Sequence, residues 1–238
     1  MTDPILYSNP QAPTAARPLL GLTVLVVEDS RFACEALRLM CLRSGARIRR
    51  ADCLRSARRH LQVYRPSVVI IDLGLPDGSG ADLIDELSHA TPRVEVILGM
   101  SGDDFSEPVA IAAGADGFLG KPLKSLASFQ EAILIHLPHD RRPSGPRIVS
   151  QEDIRPDPIA YRDDMAHLAD VLGDSDDSAV VDYVAQFATS VARSAGDAPL
   201  EAAGSALRTA RRQGQPAQSA LAHIAGIVQS RLTDSVAI

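Results

Sequence analysis

The stretch SVVIIDLGLPDGSG, residues 67–80, decides the fold. SVVIIDL (67–73) is an almost continuous apolar run carrying one acid, Asp72, as expected for a short strand buried on both faces. GLPDGSG (74–80) is a loop by composition. Similar strand-like runs lie on either side: TVLVVED (23–29) and ARIRRAD (46–52) upstream, VEVILGM (94–100) and ADGFLG (115–120) downstream. Segments with helical spacing or helix stop signals separate them: SRFACEALRLMCLRSG (30–45), LRSARRHLQVY (54–64), ADLIDELSHA (81–90), DFSEPVAIAAG (104–114) and LKSLASFQEAILIHL (123–137). Five strand–helix pairs in about 115 residues predict an α/β fold: a five-stranded parallel, doubly wound sheet with helices on both faces. In such sheets ligands sit at the carboxyl ends of the strands.

The flanks read differently. Residues 1–20 hold Pro4, Pro10, Pro13 and Pro18 and are expected to be a flexible leader. Residues 139–158 are rich in proline and without apolar periodicity, the pattern of a linker. Residues 159–238 read as a small all-α domain with helices at 163–173, 176–196, 198–214 and 216–232. Asp197 caps the third of these, and Gly196 and Gly214 close the second and third. Val180, Val184, Phe187 and Val191 form an apolar stripe on the second.

The chain of 238 residues is 45% hydrophobic and 23% charged, a globular composition. Its net charge of −6 is unevenly placed. Residues 1–150 hold 17 basic and 17 acidic side chains, residues 151–238 hold 7 and 13. An acidic C-terminal half is a poor match for a phosphate backbone, so nucleic acid is not an expected partner. The arginines at 43, 47, 49, 50, 55, 58, 59 and 65 lack an aromatic platform and read as a solvated basic face. No apolar run reaches the ~18–20 residues of a membrane span, and the opening residues lack the basic start of a secretory signal. Cys34, Cys41 and Cys53 have no metal-binding spacing and read as buried thiols, which places the chain in a reducing cytoplasm.

The strand ends carry the chemistry. Glu28 and Asp29 end the first strand and Asp72 the third; Ser101 follows the fourth and Lys121 the fifth. In an open parallel sheet these tips converge. Three converging carboxylates repel one another, and a divalent cation relieves the repulsion. Ligands that are all oxygen favour Mg²⁺. A carboxylate beside Mg²⁺ can attack phosphorus, with Lys121 and the metal neutralising the transferred group and the Ser101 hydroxyl donating to it. Taken singly, Asp29 before Ser30 could be part of a helix start, and Phe118 a core residue.

Together these residues resemble the receiver domain of two-component response regulators, over about residues 21–138. Glu28-Asp29 is similar to the family's acidic pair. Asp72, with Pro76 and Gly80 after it, is similar to its phosphoacceptor loop, Ser101-Gly102 to its hydroxyl-small pair, and Lys121-Pro122 to its Lys-Pro, whose peptide is usually cis. Phe118 falls at the position of the family's aromatic switch, paired with Ser101. The resemblance implies a flavodoxin-like fold and phosphorylation of Asp72 in a phosphorelay, by a histidine kinase or phosphotransfer protein. It also implies Mg²⁺ held by Asp29, Asp72 and the Gly74 carbonyl, with Glu28 acting through water. No enzyme activity is expected beyond Mg²⁺-dependent self-phosphorylation and autodephosphorylation on Asp72.

The C-terminal part is less informative. Residues 168–203 resemble the opening helices of histidine-containing phosphotransfer domains, but the segment that should carry the reactive histidine, 200–212, has none, and His223 lacks the accompanying lysine. A degenerate domain of that kind, acting as a protein-interaction and homodimerisation module, is the expectation. The alternative is a phosphorylation-controlled transcriptional regulator with an unrecognised DNA-binding domain.

Overall fold

The computed structural model describes residues 12–103, 105–123, 125–145, 154–173 and 178–234. Parts of the expected leader (1–11) and linker (146–153), residues 174–177 and the last residues (235–238) lie outside the described residues.

The N-terminal unit alternates β1 (Thr23–Val27), α1 (Arg31–Ser44), β2 (Arg47–Ala51), α2 (Leu54–Val63), β3 (Val68–Asp72), a hairpin of β4 (Gly74–Leu75) and β5 (Gly78–Ser79), α3 (Gly80–His89), β6 (Val96–Ser101), α4 (Glu107–Ala112), β7 (Gly117–Gly120) and α5 (Leu126–Leu134). Five strands pair in parallel in the order β2-β1-β3-β6-β7, the expected doubly wound sheet. β1 and β3 are central, which is why both are almost wholly apolar: every residue of β3 is buried, and only Thr23 of β1 is not. The two faces of the sheet carry separate apolar cores. One is built around Leu37, Met40, Phe129 and Ile133, the other around Leu54, Ala57, Leu83 and Ile84. Cys34 and Cys41 are buried packing residues on α1, and burial pushes both thiols up to about 12.

Three details differ from the sequence reading. The 74–80 loop contains the antiparallel β4–β5 hairpin, whose two-residue strands are too short to leave a periodicity. The end of the leader is packed: Leu19 is fully buried in the first core, and its N–H donates to the Ser44 carbonyl at 2.9 Å. The expected linker is also tied down at both ends. The Arg142 guanidinium donates to the Leu137 and Ile135 carbonyls at 2.7 and 2.9 Å, and Ile154 is buried in the first core.

Among the described residues the C-terminal unit has four helices: α6 (Pro158–Gly173), α7 (Ser178–Ala195), α8 (Ala198–Arg212) and α9 (Gln218–Asp234). α6 starts five residues before the expected position. Asp157 accepts from the Ile159 N–H at 2.9 Å, and Pro158 occupies the first helical position, where its missing N–H costs nothing. Asp197 caps α8, accepting from Leu200 N–H at 3.2 Å, and Gly196 and Gly214 turn the chain with φ of 76° and 67°. The apolar stripe of α7 forms the middle of a third core, with Val184, Phe187 and Val191 buried against Met165, Leu168, Leu200, Leu207, Ile224 and Val228. The bundle is not a free-standing unit. α6 and α7 pack on α1, and α7 also on β4, so the helical domain lies across the carboxyl edge of the sheet. No helix among the described residues is long and apolar enough to cross a membrane.

Candidate functional site

The sheet brings its strand tips together as expected. Carboxylate oxygens of Glu28, Asp29 and Asp72 all lie within 4.8 Å of one another. Glu28 and Asp72 are buried, 2% and 5% exposed, and so is Lys121 beside them. Its ammonium lies 2.6 Å from Glu28 Oε2 and 3.3 Å from Asp72 Oδ1. The Lys121–Pro122 peptide is cis. Glu28 Oε1 accepts the Ser30 N–H at 3.0 Å, and Ser30 caps α1 through its hydroxyl, which accepts from Ala33 N–H at 3.0 Å. Ser101 and Asp72 face one cavity of about 430 Å³, and the Ser101 hydroxyl accepts from Asp103 N–H at 3.1 Å. Gly80 sits so close under the loop that a Cβ there would strike the Asp72 carbonyl. Phe118 is partly buried against the second core and, with Ile84 and Ala110, crowds Gly99.

Three acids facing one lysine leave a buried excess of negative charge. Burial pushes Asp72 up to about 7, with Glu28 adding to the rise and Lys121 opposing it. Burial also lifts Asp29 well above the carboxylate range, reinforced by Glu28 and Asp72. Burial works against the Lys121 ammonium, but Asp72 and Glu28 outweigh it and hold the charge. Hard oxygen donors with a surplus negative charge, buried and clustered, fit a divalent cation of the Mg²⁺ type.

Sequence reasoning missed a second set of residues around the crevice, all from the helical domain. The Tyr183 hydroxyl donates to Asp29 Oδ2 at 2.6 Å. The Lys121 ammonium donates to Ser190 Oγ at 3.4 Å. Gln186 lies over Gly74, where a Cβ would collide with its amide. Arg193 donates to the Gly102 carbonyl, and Arg208 of α8 pairs with Asp103 at 3.5 Å. Asp164 of α6 completes the start of α1: its carboxylate accepts from Ser30 Oγ and Arg31 N–H, each at 2.7 Å, and from Phe32 N–H at 3.1 Å. Burial nevertheless pushes Asp164 up to about 6, against the pull of those three donors. One signal was available: Tyr183, Gln186, Ser190 and Arg193 follow at helical spacing, a polar stripe beside the apolar one.

Residues 24–133 match the family model described as the response regulator receiver domain. Among curated proteins, the chain is 32% identical over 99 residues to the KDP operon transcriptional regulatory protein KdpE of Escherichia coli, covering 42% of this chain and 44% of that protein. It is 30% identical over 102 residues to the virulence transcriptional regulatory protein PhoP of Salmonella typhimurium, covering 42% and 46%. The match therefore spans less than half the length of these relatives. Because both are transcriptional regulators, the expectation that nucleic acid is no partner finds no support in them. Among solved structures, the signal receiver domain of a signal transduction histidine kinase from Syntrophus aciditrophicus is 26% identical with a TM-score of 0.44, covering 50% of this chain and 93% of that one. The sheet order, the acidic crevice with its lysine and the family match agree: residues 24–133 of this chain form a response regulator receiver domain.

Proposed function

We propose that Asp72 accepts a phosphoryl group from a phosphohistidine on a histidine kinase or phosphotransfer protein, and that the receiver then acts through contacts of the helical domain with protein. The carrying observation is the cluster of the Glu28, Asp29 and Asp72 carboxylates, the first and last of them buried, against the buried Lys121. An Asp72 oxygen forms the new O–P bond while the N–P bond breaks, and the histidine nitrogen leaves with the electron pair. Lys121, 3.3 Å from Asp72, neutralises charge on the arriving group, and Ser101 is in position to donate to one of its oxygens. Asp29, Asp72 and the Gly74 carbonyl would hold Mg²⁺, with Glu28 acting through water. When bound, the ion supplies charge neutralisation at the phosphoryl oxygens. Ser101 and Phe118 form the switch that passes the change to the surface.

Acetyl phosphate with Mg²⁺ should label the wild-type chain, while Asp72→Asn and the wild type in EDTA stay unlabelled. Equal label on Asp72→Asn refutes the assignment. Homodimerisation through the C-terminal helices belongs to the same reading, and light scattering of the full chain tests it. The transcriptional regulators among the relatives favour a second reading, control of transcription through DNA contact. A duplex shifted by the full chain, with log affinity falling linearly against log salt, would establish it.

A further inference from the structure

We propose that the docked helical domain is a lid on the acceptor crevice, in which the Tyr183 hydroxyl and a divalent cation compete for the Asp29 carboxylate. This rests on the reading of Glu28, Asp29 and Asp72 as the metal and acceptor site. The lid is one face of α7. Its residues 183, 186, 190 and 193 meet Asp29, Gly74, Lys121 and Gly102 in turn, four positions around the crevice. Asp164 fastens the adjoining helix to the start of α1.

Exclusion follows from competition for one carboxylate oxygen. A divalent cation of the Mg²⁺ type takes its oxygens at about 2.0–2.1 Å in near-octahedral geometry. The phenol oxygen already stands 2.6 Å from Asp29 Oδ2, with its proton in the bond, so a cation coordinated by that oxygen must displace it. A phosphoryl group on Asp72 would add three oxygens under the same roof, beside Ser190 and Gln186. The interface is also of the kind that opens. Its closest contacts are polar, and the apolar cores of the two domains are separate clusters with no residue in common. Domains joined mainly by polar contacts move relative to one another by default. Because linkage is reciprocal, whatever favours ligand at Asp29 disfavours docking, and weakened docking favours the ligand.

The test is calorimetric titration of the full-length, unphosphorylated chain with Mg²⁺ alone, beside hydrogen exchange of the α7 amides. A hydrogen bond to a charged group is roughly twice as strong as one between neutral groups. Tyr183→Phe should therefore bind Mg²⁺ about tenfold more tightly than wild type. Arg193→Ala touches none of the crevice carboxylates, its acidic partner being Glu201 of α8, and it loosens the lid at Gly102, so its affinity should move the same way. Saturating Mg²⁺ should speed exchange across residues 183–193 of the wild type. Unchanged Mg²⁺ affinity in both variants, with binding abolished by Asp29→Asn, overturns the lid and leaves the site standing. Full Mg²⁺ binding by Asp29→Asn refutes the site itself, and the lid with it.

Discussion

Removing the Asp72 carboxylate should make the metal-free chain more stable. Asp72 lies within 4.8 Å of two other carboxylates. At an effective dielectric of about 20, unit charges at that distance repel by about 3.5 kcal/mol, or about 7 kcal/mol for the two pairs. Attraction to Lys121 at 3.3 Å returns about 5 kcal/mol on the same scale. The net is about 2 kcal/mol against a charged Asp72, and its desolvation adds in the same direction. Asparagine keeps the shape and removes the charge. Lys121 keeps Glu28 at 2.6 Å, so the substitution leaves no orphaned cation. In EDTA at pH 8, Asp72→Asn should melt about 4–8 °C above wild type by circular dichroism. Excess Mg²⁺ should close that gap, because it stabilises the three-carboxylate site more than the two-carboxylate one. A lower melting temperature in EDTA, or a gain undiminished by Mg²⁺, would refute the electrostatic account.

Without metal, folding stability should rise as pH falls. Asp72 holds its proton up to about 7 in the folded chain against an ordinary 3.8, so its contribution is complete below 3.8 and lost as pH rises through 7. The urea midpoint in EDTA should therefore be higher at pH 5.5 than at pH 7.5, and the reverse order counts against the buried cluster. Asp164→Ala should raise exchange at the Arg31 and Phe32 amides by about thirtyfold, the equivalent of about 2 kcal/mol, while α5 amides stay unchanged. A thiol reagent should modify Cys53 in the native chain well before Cys34 and Cys41, which are 1% and 0% exposed; mass spectrometry of the labelled peptides reads the order.

The receiver was legible because its signals are local. β3 is apolar throughout and ends on Asp72, β1 ends before Glu28, and each strand tip delivers its residue to the same edge by the rule of parallel sheets. The β4–β5 hairpin was not, since strands of two residues leave no alternation to read. The docking of the helical domain was invisible for another reason. Tyr183 and Asp29 are 154 residues apart, and a tyrosine next to an apolar stripe looks the same whether it faces water or a carboxylate. The polar stripe 183/186/190/193 has the spacing of a contact face, but spacing alone does not name what it touches. Asp164 likewise reads as one acid among many on an acidic helix, although it is 1% exposed and serves the first turn of a helix in the other domain.

The anchoring of Ile154 fixes how far the two domains can part. Ile154 belongs to the receiver-side core, and α6 begins at Pro158. Only Arg155, Pro156 and Asp157 lie between them, a span of about 10 Å when fully extended. Proline at the middle position stiffens even that. Any opening is therefore a swing about a short pivot, and the displaced helices stay beside the surface they left. Their effective concentration there is high and independent of how much protein is present. A soluble binding partner must compete with that local concentration, so the force with which the domain re-closes is a property of three residues and does not dilute away.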